Sequence, residues 1–204
     1  VSPRQHPTDD ILAEYTAGAL EPGFGLVVAA HLEACAHCRA RVASFEAASG
    51  AALKDMPETA IGAGALDDVL ARLDKPQQPA AADKRSFIER LPLKQKKWIA
   101  PGVWVAALDT PHAAEDRVYL LSVAPGKPAA RHGHSGAEFC TVLKGAFRDE
   151  TGLYAAGDFA AAYDDLNHLP VVEGEEDCVC LFATEGRLKA QGLLGQLAFA
   201  YANV

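Results

Sequence analysis

The 204-residue chain has no run of eighteen apolar residues, so no stretch reads as a membrane-spanning helix. It shows no leader with a basic start and an apolar middle, which predicts a cytoplasmic location. Five cysteines without an export signal argue for metal or thiol chemistry in a reducing compartment rather than for a disulfide framework. Positive charge is in short supply, with 19 Lys/Arg against 27 Asp/Glu and a net charge of -8. The balance is -6 over residues 1–74, +5 over 75–97 and -7 over 98–204. Two acidic folded parts argue against direct contact with DNA or RNA and suit a basic protein partner.

Against these absences stands one dense stretch, His31-Leu-Glu-Ala-Cys35-Ala-His37-Cys38. Small or apolar residues lead into it at Phe24, Val27, Val28 and Leu32, a helical spacing that puts His31 and Cys35 one turn apart on one face. Cys38 follows at the interval that lets two thiolates share one ion. Imidazole with soft sulfur in a closed tetrahedral set is zinc chemistry. A structural zinc takes a fourth donor, for which Glu33, His37 and His6 are available. His6 precedes a first helix announced by Pro7-Thr8-Asp9-Asp10, with Ile11, Leu12, Tyr15 and Ala19 as its apolar stripe. That helix ends at Glu21-Pro22-Gly23. Two helices of about 12 residues, each about 18 Å long, fold back as a hairpin and return residue 6 to the level of residues 31–38. His6 is therefore the expected fourth ligand, and His37 a solvent-facing neighbour.

A third helix is expected from Ala36 to Ala52, with Val42 and Phe45 on the side of Cys38, and a break at Met56-Pro57. A fourth carries Leu66, Val69, Leu70 and Leu73 at i, i+3, i+4 and i+7. This stripe either packs on its own domain or forms part of a partner-binding surface. Residues 75–83 are a linker by composition, and a basic run follows to Lys97. From Trp98 onward short β-rich runs alternate with turns: Val103–Leu108, Val118–Val123, Phe139–Leu143, Phe159–Tyr163 and Cys178–Phe182. They predict a sandwich or barrel. Leu193, Leu194, Leu197 and Tyr201 predict a closing helix that docks on it. The expected class is α+β: an all-α helical domain over residues 1–74, a linker over 75–97 and a β-sandwich or jelly-roll barrel over 98–204.

Within the β region lies Gly126-x5-His132-x-His134-x3-Glu138-x6-Gly145, with His168 eleven residues after Gly157. His132 and His134 share a strand face, and three imidazoles with a carboxylate suit a divalent first-row metal. Cys178 and Cys180 also share a face. They, like Cys140, are either redox-active thiols near that metal or small core residues. Trp98 and Trp104 read as core or edge packing, and His112 has no assigned role.

The second half resembles the cupin family of jelly-roll barrels. The first cupin motif is complete at Gly126, His132, His134, Glu138 and Gly145. The second keeps Gly157 and His168 but has Tyr163, Asp165 and Val172 where proline, glycine and asparagine are usual. The first half resembles zinc-binding anti-sigma domains through His6, His31, Cys35 and Cys38, and the fusion is similar to anti-sigma factors of the ChrR type. This resemblance implies a regulator that sequesters a group IV (ECF) sigma factor one to one and releases it on an oxidative signal such as singlet oxygen or a peroxide. It implies two metal sites: zinc in the helical domain, and zinc or another divalent metal in the cupin. The partner surface would lie on the helices, and the cupin would serve the response. The competing expectation is a metal-dependent cupin enzyme, of dioxygenase or isomerase type, with a regulatory zinc domain.

Overall fold

A computed structural model describes residues 2–73, 85–109, 116–129, 132–133, 136–163, 167–186, 189–190, 196–197 and 200–201. The helices come first: α1 (Asp9–Ala17), α2 (Pro22–Ala34), α3 (Ala36–Lys54), α4 (Ala65–Leu73) and the short α5 (Phe87–Arg90). Twelve strands follow among the described residues: β1 (Lys97–Ala100), β2 (Val103–Ala107), β3 (Arg117–Val123), β4 (His132–Gly133), β5 (Glu138–Lys144), β6 (Ala146–Asp149), β7 (Gly152–Ala155), β8 (Phe159–Ala162), β9 (Asn167–His168), β10 (Val171–Glu173), β11 (Cys178–Thr184) and β12 (Lys189–Ala190). The α+β organisation expected from the sequence is present. The linker residues 75–83, His112, His134, Asp165, Leu193 and Leu194 lie outside the described residues.

The main sheet has the order β1-β2-β3-β11-β5-β8, with every pair antiparallel. Two three-stranded sheets, β10-β6-β7 and β12-β4-β9, complete the β region. The five expected strands correspond to β2, β3, β5, β8 and β11, and they read as nearly continuous apolar runs because both faces of the main sheet are covered. Alternate residues go to different cores. Along β11, Val179, Leu181 and Ala183 join the helices, while Cys178, Cys180 and Phe182 face the barrel interior. Along β5, Phe139 and Leu143 face the helices, whereas Cys140 and Val142 face inward.

The helical part shares that outer core. α2 lies on β5 and β11, burying Phe24, Val27, Val28 and Leu32 together with Leu120, Phe139, Phe159 and Leu181. Phe24 meets Phe139 edge to face, with ring centroids 4.8 Å apart. The Thr141 hydroxyl on β5 donates to the Val27 carbonyl at 2.8 Å, entirely out of water. Gly23 explains how close the helix comes: a Cβ there would sit 2.5 Å from Val118 Cγ2 of β3. α2 thus buries more than half of its residues, as its high apolar content requires.

α4 is different. Leu66, Val69, Leu70 and Leu73 are 49–64% exposed, and Leu53, Met56 and Ile61 before them are exposed as well. At the other end of the chain, Leu197 and Tyr201 are exposed rather than packed as the expected closing helix would have them. Tyr201 instead meets Lys97 of β1, whose ammonium donates to the Tyr201 carbonyl at 3.0 Å and lies 5.4 Å from its ring centre. Trp98, also on this edge strand, is exposed, and Trp104 carries the Lys96 ammonium over its ring.

Candidate metal centres

The first centre forms where α2 passes into α3. Cys35 is at once the C-cap of α2 and the N-cap of α3, and its extended backbone turns the chain. Its sulfur accepts from the Cys38 amide at 3.4 Å, so the turn points both thiols to one spot. His31, one turn back, places Nε2 3.3 Å from Cys38 Sγ. His6, on the arm before α1, places Nδ1 3.4 Å from both Cys35 Sγ and Cys38 Sγ. All four donor atoms lie within 4.8 Å of one another.

These distances can be tested against a tetrahedral ion. Zinc–nitrogen and zinc–sulfur bonds of about 2.05 and 2.3 Å at a tetrahedral angle put N and S about 3.6 Å apart. The observed 3.3–3.4 Å edges fit that geometry. The electrostatics agree. Burial, the hydrogen bond with Cys35 and its charge push the Cys38 thiol up to about 12, so that thiol ionises only beside a cation. Burial also lowers the His31 pKa and favours the neutral imidazole that a metal uses. His31 Nδ1–H donates to the Gly157 carbonyl at 2.7 Å, which leaves Nε2 for the shared site.

The other two candidates for the fourth donor are excluded by position. The Glu33 carboxylate is exposed and pairs with Arg90 of α5. His37 is exposed, as expected; its ring lies 5.2 Å from that of His6, and it is outside the donor set.

The second centre lies inside the barrel. His132 on β4 and His168 on β9 are direct cross-strand partners, so their side chains project from the same face. Their Nε2 atoms are 3.2 Å apart, and Glu138 Oε1, from the first residue of β5, is 3.9 Å from His132 Nε2. All three residues are buried. This set also fits a divalent ion, with His134 outside the described residues.

Asp149, which the sequence did not mark, orients this centre. His168 Nδ1–H donates to Asp149 Oδ2 at 2.7 Å, turning Nε2 toward the cluster. Burial pulls the Asp149 carboxyl up, but the His168 and Thr151 hydrogen bonds outweigh it and hold it down at about 2. Asp149-Glu150-Thr151-Gly152 reads only as a hairpin turn, so nothing local pointed to the histidine nineteen residues away.

A cavity of about 50 Å³ adjoins this cluster, room for a few water molecules. Its walls are mainly apolar and include Cys140, Cys178 and Cys180. The Cys178 and Cys180 sulfurs are 3.6 Å apart. The Cys180 thiol is pushed well up by its hydrogen bond with Cys140, Cys178 by its bond with Cys180 and by burial, and Cys140 by burial. These are protonated thiols that pack as small apolar groups.

The two centres lie on opposite faces of β5 and β8, and the turn at residues 157–158, which leads into β8, packs against the first. A Cβ at Gly157 would lie 2.9 Å from Pro3 Cγ and 3.0 Å from Ala34 Cβ, and the residue has φ +92°. Glycine alone lets the barrel approach the arm and α2 this closely.

Residues 90–188 match the family described as the ChrR cupin-like domain. Over its whole length the chain is similar to the anti-sigma-E factor ChrR of Cereibacter sphaeroides, at 37% identity across 98% of this chain and 99% of that one. Among solved structures it resembles that of Rhodobacter sphaeroides SigE in complex with the anti-sigma ChrR. That match has a TM-score of 0.78 and 38% identity, covering 90% of this chain and all of the other.

Proposed function

Because this chain belongs to the family of ChrR anti-sigma factors, we propose that it binds a group IV (ECF) sigma factor one to one and keeps it from promoter-dependent transcription. The observation that supports this most is the four-donor cluster, found in a chain collinear with an anti-sigma factor from end to end. Zinc held by His6, His31, Cys35 and Cys38 ties the arm, α2 and α3 into one unit. A small helical unit needs such a staple, and metal binding energy is then folding energy. The division of labour follows the sequence: residues 1–74 as the sigma-binding part, 75–97 as the connection and 98–204 as the sensor.

The partner surface in this reading is the α4 stripe of Leu66, Val69, Leu70 and Leu73. Exposed apolar residues on one helix face suit a groove on a partner. In the barrel, His132, His134, Glu138 and His168 hold zinc or another divalent metal. The metal there serves response rather than basal binding, and the signal is oxidative, as the family resemblance implies. Among the described residues no helix is long and apolar enough to cross a membrane, and a cytoplasmic location belongs to the same reading.

The deciding experiment mixes the purified chain with group IV sigma factors from its own genome. One of them forms a one-to-one complex by light scattering and loses run-off transcription. If every one of those sigma factors transcribes undisturbed, the reading fails. The cavity beside the barrel cluster favours a second reading, a metal-dependent enzyme. Turnover of a small substrate by the iron- or manganese-loaded chain would establish it.

A further inference from the structure

The four donors of the helical centre are not held alike. His31, Cys35 and Cys38 are buried and fixed by α2, α3 and the turn between them. His6 is exposed and sits on an arm with neither helix nor strand before Asp9. The cap of α1 does not secure the arm, since Thr8 makes no side-chain capping bond. What holds it is the barrel. The Arg4 and Gln5 amides donate to Asp158 Oδ1 at 2.6 and 3.0 Å, and the Phe159 amide donates to the Gln5 carbonyl at 3.1 Å. Asp158 is 3% exposed, and its other oxygen accepts from the Ala155 amide at 2.8 Å. A buried carboxylate that takes three backbone N–H groups is a strong, directional anchor.

We propose that Asp158 is a positioning residue for the helical metal centre, delivering His6 as its fourth donor by clasping the amides of Arg4 and Gln5. The inference rests on the reading that His6, His31, Cys35 and Cys38 hold zinc. The neighbouring Gly157 carbonyl orients His31, so one barrel turn governs both imidazoles of the set while the helices alone govern the two thiolates. Metal loss starts at the exposed donor, so a loosened arm shows first as faster release. The sequence gives no hint of this, because the anchor lies more than 150 residues from the arm it holds.

The test uses the full chain loaded with cobalt, whose thiolate charge-transfer bands report a sulfur-ligated site and whose d–d bands report its donor set. In the Asp158→Ala variant the d–d bands shift to those of His6→Ala, and zinc passes to a chromophoric chelator at least about tenfold faster, the scale on which loss of a ligand's supporting bond acts. The double variant, Asp158→Ala with His6→Ala, shows no further change. Unchanged bands and an unchanged release rate in Asp158→Ala overturn the proposal and leave the zinc reading intact. Absence of thiolate bands in the wild type overturns both. Should Asp158→Ala not fold, Arg4→Pro removes one of the clasped amides without touching the barrel, and the same two readouts decide in the same way.

Discussion

Replacing Gly157 with alanine separates backbone strain from the packing of arm, helix and barrel. At φ +92° an alanine pays for the conformation itself, about 1–2 kcal/mol in the left-handed region. Its Cβ must also displace Pro3 and Ala34, at 2.9 and 3.0 Å. Neither neighbour is the end of a flexible side chain, so overpacking adds about 1–3 kcal/mol. The expected total is about 2–5 kcal/mol. Gly174 supplies the control, with φ +86° and nothing within 4 Å of its virtual Cβ. Gly174→Ala therefore costs the strain alone. The assay is urea unfolding of the zinc-loaded chain, followed by far-ultraviolet circular dichroism. A Gly157→Ala cost equal to that of Gly174→Ala would refute the argument, since it would mean that the arm and α2 do not press on this turn.

Cys35→Ala and Cys38→Ala each lower bound zinc by one equivalent in elemental analysis, and sigma binding falls with it; wild-type affinity in these metal-free variants contradicts the scheme. Val69→Asp and Leu70→Asp change stability by no more than about 0.5 kcal/mol because both residues are already half-exposed, yet weaken sigma binding at least about tenfold in a titration. His132→Ala and Glu138→Gln remove metal from the barrel and leave inhibition of transcription in place; inhibition lost outright would make the barrel part of the clamp. Thr141→Val, which deletes the buried bond to the Val27 carbonyl, costs about 0.5–1.5 kcal/mol in urea unfolding, because that carbonyl keeps its place in the helix ladder.

Much of this molecule was written locally. The 3.6-residue period of Ile11, Leu12 and Tyr15, and of Phe24, Val27, Val28 and His31, yields α1 and α2, and the H-x3-C-x2-C interval yields a turn that aims two sulfurs and an imidazole at one point. α1 and α2 fold back as a hairpin and bring His6 to them, because helix length is fixed by residue count. The strands at Val103, Val118, Phe139, Phe159 and Cys178 were legible from their composition, as were His132, Glu138 and His168 from their spacing.

Tertiary structure decided what each of these pieces faces. A continuous apolar run does not say that Cys180 looks into a cavity while Leu181 supports a helix, because covering both faces erases the alternation that would reveal them. Glu33 lies among the ligands in sequence, yet in the fold its carboxylate pairs with Arg90 of α5. The exposure of Leu66, Val69, Leu70 and Leu73 depended on what else the fold could offer them. Of the groups beside the imidazoles, Asp158 at the His6 arm and Asp149 at His168 carry no motif of their own, and the motif that marks Gly157 does not point to His31. A backbone carbonyl or a turn carboxylate acquires such a role only when folding brings it within hydrogen-bond reach, and residues 31 and 157 meet across a distance in sequence that no periodicity spans.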